Sequence, residues 1–335
     1  MYYKSMFLIL LIMSSLISIS SFSWMSMWMG LEMNLLSFIP LMTPNKNMMS
    51  AEAAIKYFIT QAMASTIMLF SIIIMSLKFM YNFNMNFYLI LMLNTSLFTK
   101  MGAAPFHFWL PEIISGLNWF NSFIILTWQK ITPMILFMYF TYNILYTSII
   151  VITSMMISGI MGINQTSLQK ILTYSSINHI GWMLSSMLIN EIIWLYYFMT
   201  YLLITFNISM IFKIFNIFNT NQLTMSFNNF PLIKMMFIMN FMSLGGLPPF
   251  MGFIPKWLTI QSLILKNLTT ITLIMTILTL LTTYFYMQIT FSNILLQINK
   301  MLFYTHSLTS HYFLWLINLI ILIGTEFSTL MFNFI

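Results

Sequence analysis

The chain has no cysteine. Iron–sulfur ligation, thiolate nucleophiles and disulfides all need cysteine sulfur, so these residues can build none of them. Arginine and aspartate are missing too, and only 5% of the 335 residues are charged. A soluble domain carries about a quarter charged residues, so this composition cannot clothe a globular surface in water. No glycine-rich dinucleotide fingerprint or phosphate-binding loop occurs, which leaves nucleotide binding without support. The net charge of +7 comes from twelve scattered lysines against five glutamates. A nucleic-acid binder would gather its lysines on one polar face, so nucleic acid is not an expected partner.

What the chain does have is apolar length: 60% of it is hydrophobic and its mean hydropathy is +0.91. A membrane span takes roughly 20 apolar residues. Eleven stretches qualify: about 5–22, 24–43, 50–78, 87–104, 119–142, 146–163, 170–189, 192–217, 231–260, 268–296 and 312–333. The stretch after Lys4 reads as the first span, because no leader-type cleavage site follows it. Only helices satisfy the backbone of such spans in lipid. The expected fold is therefore all-α, a polytopic transmembrane bundle forming one membrane domain over 1–335. Thirty-six methionines beside a single valine, Val151, point to codon pressure in an A+T-rich genome.

Loop lysines orient the spans. Lys4, Lys46, Lys170, Lys213, Lys234 and Lys300 fall on the side of the N-terminus, against Lys78 and Lys266 on the other. The positive-inside tendency then puts the N-terminus on the matrix or cytoplasmic side and the C-terminus opposite.

Two spans carry breakers. The fourth runs into Pro105 and Pro111, and the ninth contains Gly245-Gly-Leu-Pro248-Pro249. Proline lacks an amide hydrogen and clashes with the preceding turn, so both helices are expected to break. The breaks lie five spans apart, which divides the chain into five-helix units at 5–142 and 146–296 plus a final helix at 312–333. An odd number of helices per unit gives inverted-topology repeats, as in many transporters. In that correspondence Glu32 matches His179, and Glu52 with Lys56 matches Lys213. Independent Gly/Pro kinks are the plainer reading.

The charges inside apolar spans are the chemical candidates. Glu32 sits near the middle of its span, where a charge costs roughly 2.5–3.5 kcal/mol on insertion scales. It reads as a proton or ion site, or else as half of a structural salt bridge. Lys130 is centred in the fifth span; it suits a proton relay, since burial penalises its charged form, or serves as a fixed counter-ion. Lys100 and Lys256 adjoin the breaks, where freed carbonyls and water can solvate an ammonium; interfacial anchoring is the alternative. His107 follows Lys100 by seven residues. Ser175, Asn178, His179, Trp182 and Ser186 fall on one helical face, and a histidine there is either a proton carrier or an interhelical hydrogen-bond former. Glu52 and Lys56 have the spacing and order of a helical ion pair. Glu112 borders the first break, and Lys46 and Glu191 read as end residues in headgroup water. Glu326 lies in the last span, and His306 and His311 lack further ligands for a metal.

Several of these motifs together resemble a known family. Gly30-Leu-Glu32-Met-Asn34, Glu52-Ala-Ala-Ile-Lys56-Tyr-Phe, Lys100-Met-Gly-Ala-Ala-Pro-Phe-His107-Phe-Trp-Leu-Pro-Glu112, Thr127-Trp-Gln-Lys130, Lys170-Ile-Leu-Thr-Tyr-Ser-Ser-Ile-Asn-His179 and Leu244-Gly-Gly-Leu-Pro-Pro-Phe-Met-Gly-Phe-Ile-Pro-Lys256-Trp are similar, in order, to the chain 2 family of mitochondrial NADH–ubiquinone oxidoreductase. The likeness runs from about residue 24 to 260.

The resemblance implies an antiporter-like, proton-translocating subunit in the membrane arm of respiratory complex I, located in the mitochondrial inner membrane. It implies the animal form, without the three N-terminal helices of longer relatives. It implies no cofactor in this chain, with NADH, flavin, iron–sulfur clusters and ubiquinone bound by other subunits. Other membrane-arm subunits are the implied partners, with lipids including cardiolipin. The carried-over proton relay is Glu32 paired with Lys100, then Lys130, His179 and Lys256. Glu52, Lys56, His107 and Lys213 are accessory candidates. A stand-alone cation/proton antiporter and a structural scaffold are the rival readings.

Overall fold

The computed structural model describes residues 2–43, 47–81, 86–140, 143–227, 231–248 and 250–295. The predicted helix at 312–333, Pro249, Lys46, Lys300, Glu326, His306 and His311 lie outside the described residues. Fourteen α-helices are present among those described. The chain divides into two compact units, Met1–Ile150 and Val151–Ile335.

The first unit holds α1 (Tyr2–Ser20), α2 (Trp24–Met42), α3 (Met48–Tyr81), α4 (Asn86–Met101), α5 (Trp109–Ser115), α6 (Trp119–Leu126), α7 (Trp128–Met138) and the start of α8 (Ile144–Ile163). The helices α1 and α2 form an antiparallel pair in which Gly30 permits close approach: a Cβ there would stand 2.7 Å from the Ser18 Cβ. The α3 helix packs on α2, α4 and α5, and α7 on α4 and α6. The second unit holds the rest of α8, α9 (Leu168–Met187), α10 (Glu191–Phe215), α11 (Thr220–Phe227), α12 (Pro231–Gly245), α13 (Phe253–Leu265) and α14 (Thr269–Leu295). Here α9 is the central element, with α10, α13 and α14 packed around it. Gly159 and Gly162 bring α8 onto Leu281 and Phe285 of α14.

Ten of the predicted spans correspond to described helices, with two short extra helices, α5 and α11, between them. Five helices are long and apolar enough to cross a membrane unbroken: Tyr3–Ser20, Met48–Leu77, Ile144–Ile163, Glu191–Phe215 and Thr269–Leu295. The others are interrupted or carry buried polar groups. Outward faces present large apolar side chains, such as Leu16, Ile59, Ile73, Leu273 and Leu280, as a lipid-facing surface requires.

Many serine and threonine hydroxyls within the helices are satisfied by their own helix. Ser14 donates to the Leu11 carbonyl at 2.9 Å, Ser71 to Met68 at 2.7 Å, Ser154 to Val151 at 2.8 Å and Thr282 to Thr279 at 2.9 Å. A serine or threonine bonded to its own preceding turn can sit in an apolar helix without an outside partner.

The helix breaks are sharper than proline alone predicts. Both α4 and α12 stop at a glycine in the left-handed region, Gly102 with φ 75° and Gly246 with φ 71°, a conformation glycine adopts without penalty. Each closes with the same pair of bonds. Ala103 N–H reaches the Phe98 carbonyl at 3.0 Å and Gly102 N–H reaches Thr99 at 3.2 Å. Leu247 N–H reaches Met242 at 3.4 Å and Gly246 N–H reaches Ser243 at 3.0 Å. This is the Schellman cap. The prolines follow: Pro105, joined to Ala104 by a cis peptide bond, and Pro248. Their part is to prevent the helix from resuming at once.

A third break was not predicted. The fifth span is interrupted at Thr127, with φ −121° and ψ −71°, separating α6 from α7. Pro133 has no amide hydrogen to offer the Gln129 carbonyl, so the first turns of α7 are held by fewer main-chain bonds.

Candidate functional site

The first unit gathers its ionisable groups at two breaks. Lys100 lies in the last turn of α4, two residues before the Gly102 cap. Helix C-termini carry partial negative charge, which favours a cation there. Lys130 lies in the first turn of α7, just past the Thr127 break. Both lysines are buried, at 7% and 1% exposure, and both line one small polar cavity of about 20 Å³. That is room for a single water molecule. Asn34, Gln61, Gln129 and Thr132 share its wall.

Glu32 is half-buried on α2, the helix that contributes Asn34 and Leu35 to the wall of the same cavity. Among the described residues, contact ion pairs are seen at Lys56 and not between Glu32 and Lys100. Lys56 bonds Glu52 at 3.0 Å on its own helix and Glu112 of α5 at 2.8 Å. These three side chains are exposed to 40% or more and tie α5 to α3 at the surface. His107 is buried within the α4–α5 break, and its ring lies against Phe108 with centroids 4.4 Å apart.

In the second unit Lys256 sits in the first turn of α13, buried to 6% exposure. It follows its break, whereas Lys100 precedes its own, so the two lysines occupy opposite sides of matching interruptions. The Lys256 ammonium donates to the Gly245 carbonyl at 2.7 Å and to Leu244 at 3.4 Å, both at the C-terminal end of α12. The Trp182 ring of α9 lies 5.9 Å from it, within the range of a cation–π contact. The expectation that freed carbonyls solvate a break lysine thus describes Lys256.

His179 of α9 shares a 2.9 Å hydrogen bond between its Nδ1 and the Tyr197 hydroxyl of α10, and the Tyr201 ring lies 5.1 Å from it. The predicted polar stripe on α9 is largely self-contained. Ser175 and Ser186 bond the Leu172 and Met183 carbonyls at 2.7 Å each, while Asn178 reaches Thr282 of α14 at 3.3 Å. Apart from half-buried Lys170, α9 is buried on every side, and the bonds of Asn178 and His179 face its neighbouring helices. Lys213 is exposed in the last turn of α10, outside this buried group.

Sequence reasoning passed over Asn34, Gln129 and Tyr197 as site residues. The first two carried a readable signal: each is an amide in an apolar span, two residues after Glu32 and one before Lys130. Tyr197 has none, lying in a run of aromatic residues. Among the described residues no group of three or more His, Asp or Glu side chains is placed to hold a metal ion.

Lysines buried beside paired helix breaks, in a bundle with apolar outer faces, define a polytopic membrane protein of the antiporter-like kind. The sequence pattern described as NADH:quinone oxidoreductase/Mrp antiporter, TM matches residues 21–282, and the chain belongs to that family. NADH-ubiquinone oxidoreductase chain 2 of Anopheles gambiae is 50% identical over 304 residues, covering 89% of this chain and 87% of its own. The protein of that name from Locusta migratoria is 45% identical over 297 residues, covering 89% and 87%. That of Suncus etruscus is 41% identical over 286 residues, covering 83% and 82%. A chain of respiratory complex I from Thermus thermophilus superposes with a TM-score of 0.85 at 20% identity, covering 97% of this chain and 78% of its own. A chain of the Mrp complex from a Dietzia species gives 0.71 at 14% identity, covering 84% and 59%. These two likenesses concern the fold alone.

Proposed function

We propose that this chain is a proton-translocating, antiporter-like core subunit of NADH:ubiquinone oxidoreductase, working in the mitochondrial inner membrane. It carries protons and performs no redox step. NADH, flavin, iron–sulfur clusters and ubiquinone are held by other subunits, and other membrane-arm subunits are its partners, with cardiolipin among its lipids. The five-helix units, 5–142 and 146–296, are inverted repeats, with the N-terminus facing the matrix and the C-terminus the intermembrane space.

The observation that carries this reading is the pair Lys100 and Lys130, buried on one cavity large enough for one water. Proton transfer needs donor and acceptor bridged directly or by one water, and two lysines on the wall of one small cavity support such a route. In this reading separation of Glu32 from Lys100 releases the lysine's proton toward Lys130. His179 and Lys256 are the proton carriers of the second unit. Moving one charge against a potential costs about 2.3 kcal/mol per 100 mV, so electron transfer elsewhere must drive the cycle.

The test is Lys130→Met in the assembled complex, reconstituted in liposomes, with NADH oxidation and proton movement recorded together. Fewer protons per electron pair are expected. Full pumping by an assembled Lys130→Met complex would favour a scaffold whose buried charges only lock helices. Proton-coupled cation exchange by the isolated chain in liposomes would favour a stand-alone antiporter.

A further inference from the structure

Asn34 and Gln129 exchange two hydrogen bonds, the Asn34 amide donating to Gln129 Oε1 at 3.0 Å and the Gln129 amide to Asn34 Oδ1 at 3.2 Å. Both side chains are buried, and both line the cavity shared by Lys100 and Lys130. Seven residues further along α2, the Leu41 carbonyl accepts a 2.8 Å bond from the Asn121 amide of α6. The α2 helix is therefore bonded on both sides of the Thr127 break, to α6 through Leu41 and to α7 through Asn34. It lies along the interruption as a splint.

The backbone alone holds this region weakly. Thr127 leaves the helical conformation, and Pro133 deprives the Gln129 carbonyl of its helical donor. Leaving one of these buried amides without a partner is costly, and the reciprocal pair avoids that. A neutral amide gains or loses no proton near neutral pH, so the pair cannot itself be a station for protons. What it can do is keep a distance. Gln129 adjoins Lys130, and Asn34 is two residues from Glu32 on the same helix.

We propose that Asn34 and Gln129 are positioning residues, which hold the first turn of α7 against α2 and so set the separation of Lys130 from Lys100 and Glu32. This role rests on the proton-translocation reading above.

The experiment uses the assembled complex in liposomes and compares Asn34→Leu, Gln129→Met and the exchange Asn34→Gln with Gln129→Asn. Protons moved per electron pair are normalised to the amount of assembled complex. Each single variant is expected to lower that ratio by roughly two-fold or more, the scale of coupling changes along a packed network. The exchange, which rebuilds an amide pair of the same total length, is expected to restore it. Single variants with wild-type ratios would overturn the proposal. So would pumping that falls only in step with assembly, or an exchange no better than the singles. Lys130→Met run alongside separates the two levels. If it too leaves the ratio intact, the proton-translocation reading has failed; if it lowers the ratio while the amide variants do not, only the positioning role has failed.

Discussion

Lys256 donates to the main-chain oxygen of Gly245 at 2.7 Å, while its aliphatic stem lies against Gly246. A Cβ at residue 246 would stand 2.6 Å from the lysine Cδ and 2.7 Å from Nζ. The glycine that ends α12 is therefore also the floor of the lysine site.

Gly246→Ala tests this relationship. The left-handed backbone costs an L-residue about 1–2 kcal/mol, and the new methyl pushes the ammonium off its carbonyl partners. The expected outcome is an assembled complex with fewer protons moved per electron pair, measured by acidification against NADH oxidation. Wild-type coupling would mean that the lysine does not depend on this floor.

Tyr197→Phe removes the hydroxyl bonded to His179 Nδ1 and little else. Loss of one neutral hydrogen bond destabilises by about 0.5–1.5 kcal/mol, too little to unfold a subunit of this size. With that bond gone, proton pumping should fall more than NADH oxidation does. An unaltered ratio of the two would leave Tyr197 with a packing role only.

Glu112→Gln breaks the link from α5 to Lys56 and leaves the Glu52 pair in place. The side-chain exposures are 40% for Lys56, 66% for Glu52 and 59% for Glu112, and the ammonium keeps its Glu52 partner in the variant. Thermal stability and proton pumping of the complex should stay near wild type. A pumping defect in a normally assembled complex would move these residues into the proton path.

Gly30→Leu places a side chain where α1 and α2 meet, with the Ser18 backbone nitrogen 2.8 Å from the new Cβ. Overpacking of this kind costs about 1–3 kcal/mol. The expected result is less assembled complex on native gels, with normal proton coupling in the fraction that assembles.

The spans were legible because lipid leaves a chain so few options: long apolar runs must be helices, and ten of them are found as such among the described residues. The breaks at Gly102 and Gly246 were legible from the glycine and proline that follow Lys100 and Leu244. The break at Thr127 was not, because no glycine stands there and Pro133 lies six residues downstream. Buried lysines announce themselves by their charge. Their neighbours do not: Asn34 meets Gln129 across 95 positions of sequence, a pairing that depends on packing between helices. The stripe on α9 was legible in part: His179 forms the interhelical hydrogen bond that was one of its two readings, while a serine's position on a helix does not say whether its hydroxyl turns back to its own carbonyl.

That last habit has a consequence for leakage. A hydroxyl bonded to its own turn, as at Ser14, Ser71, Ser154 and Thr282, gives its hydrogen to the backbone and has little reason to recruit water. Serine and threonine can then be frequent in a membrane helix without opening it to water at those positions.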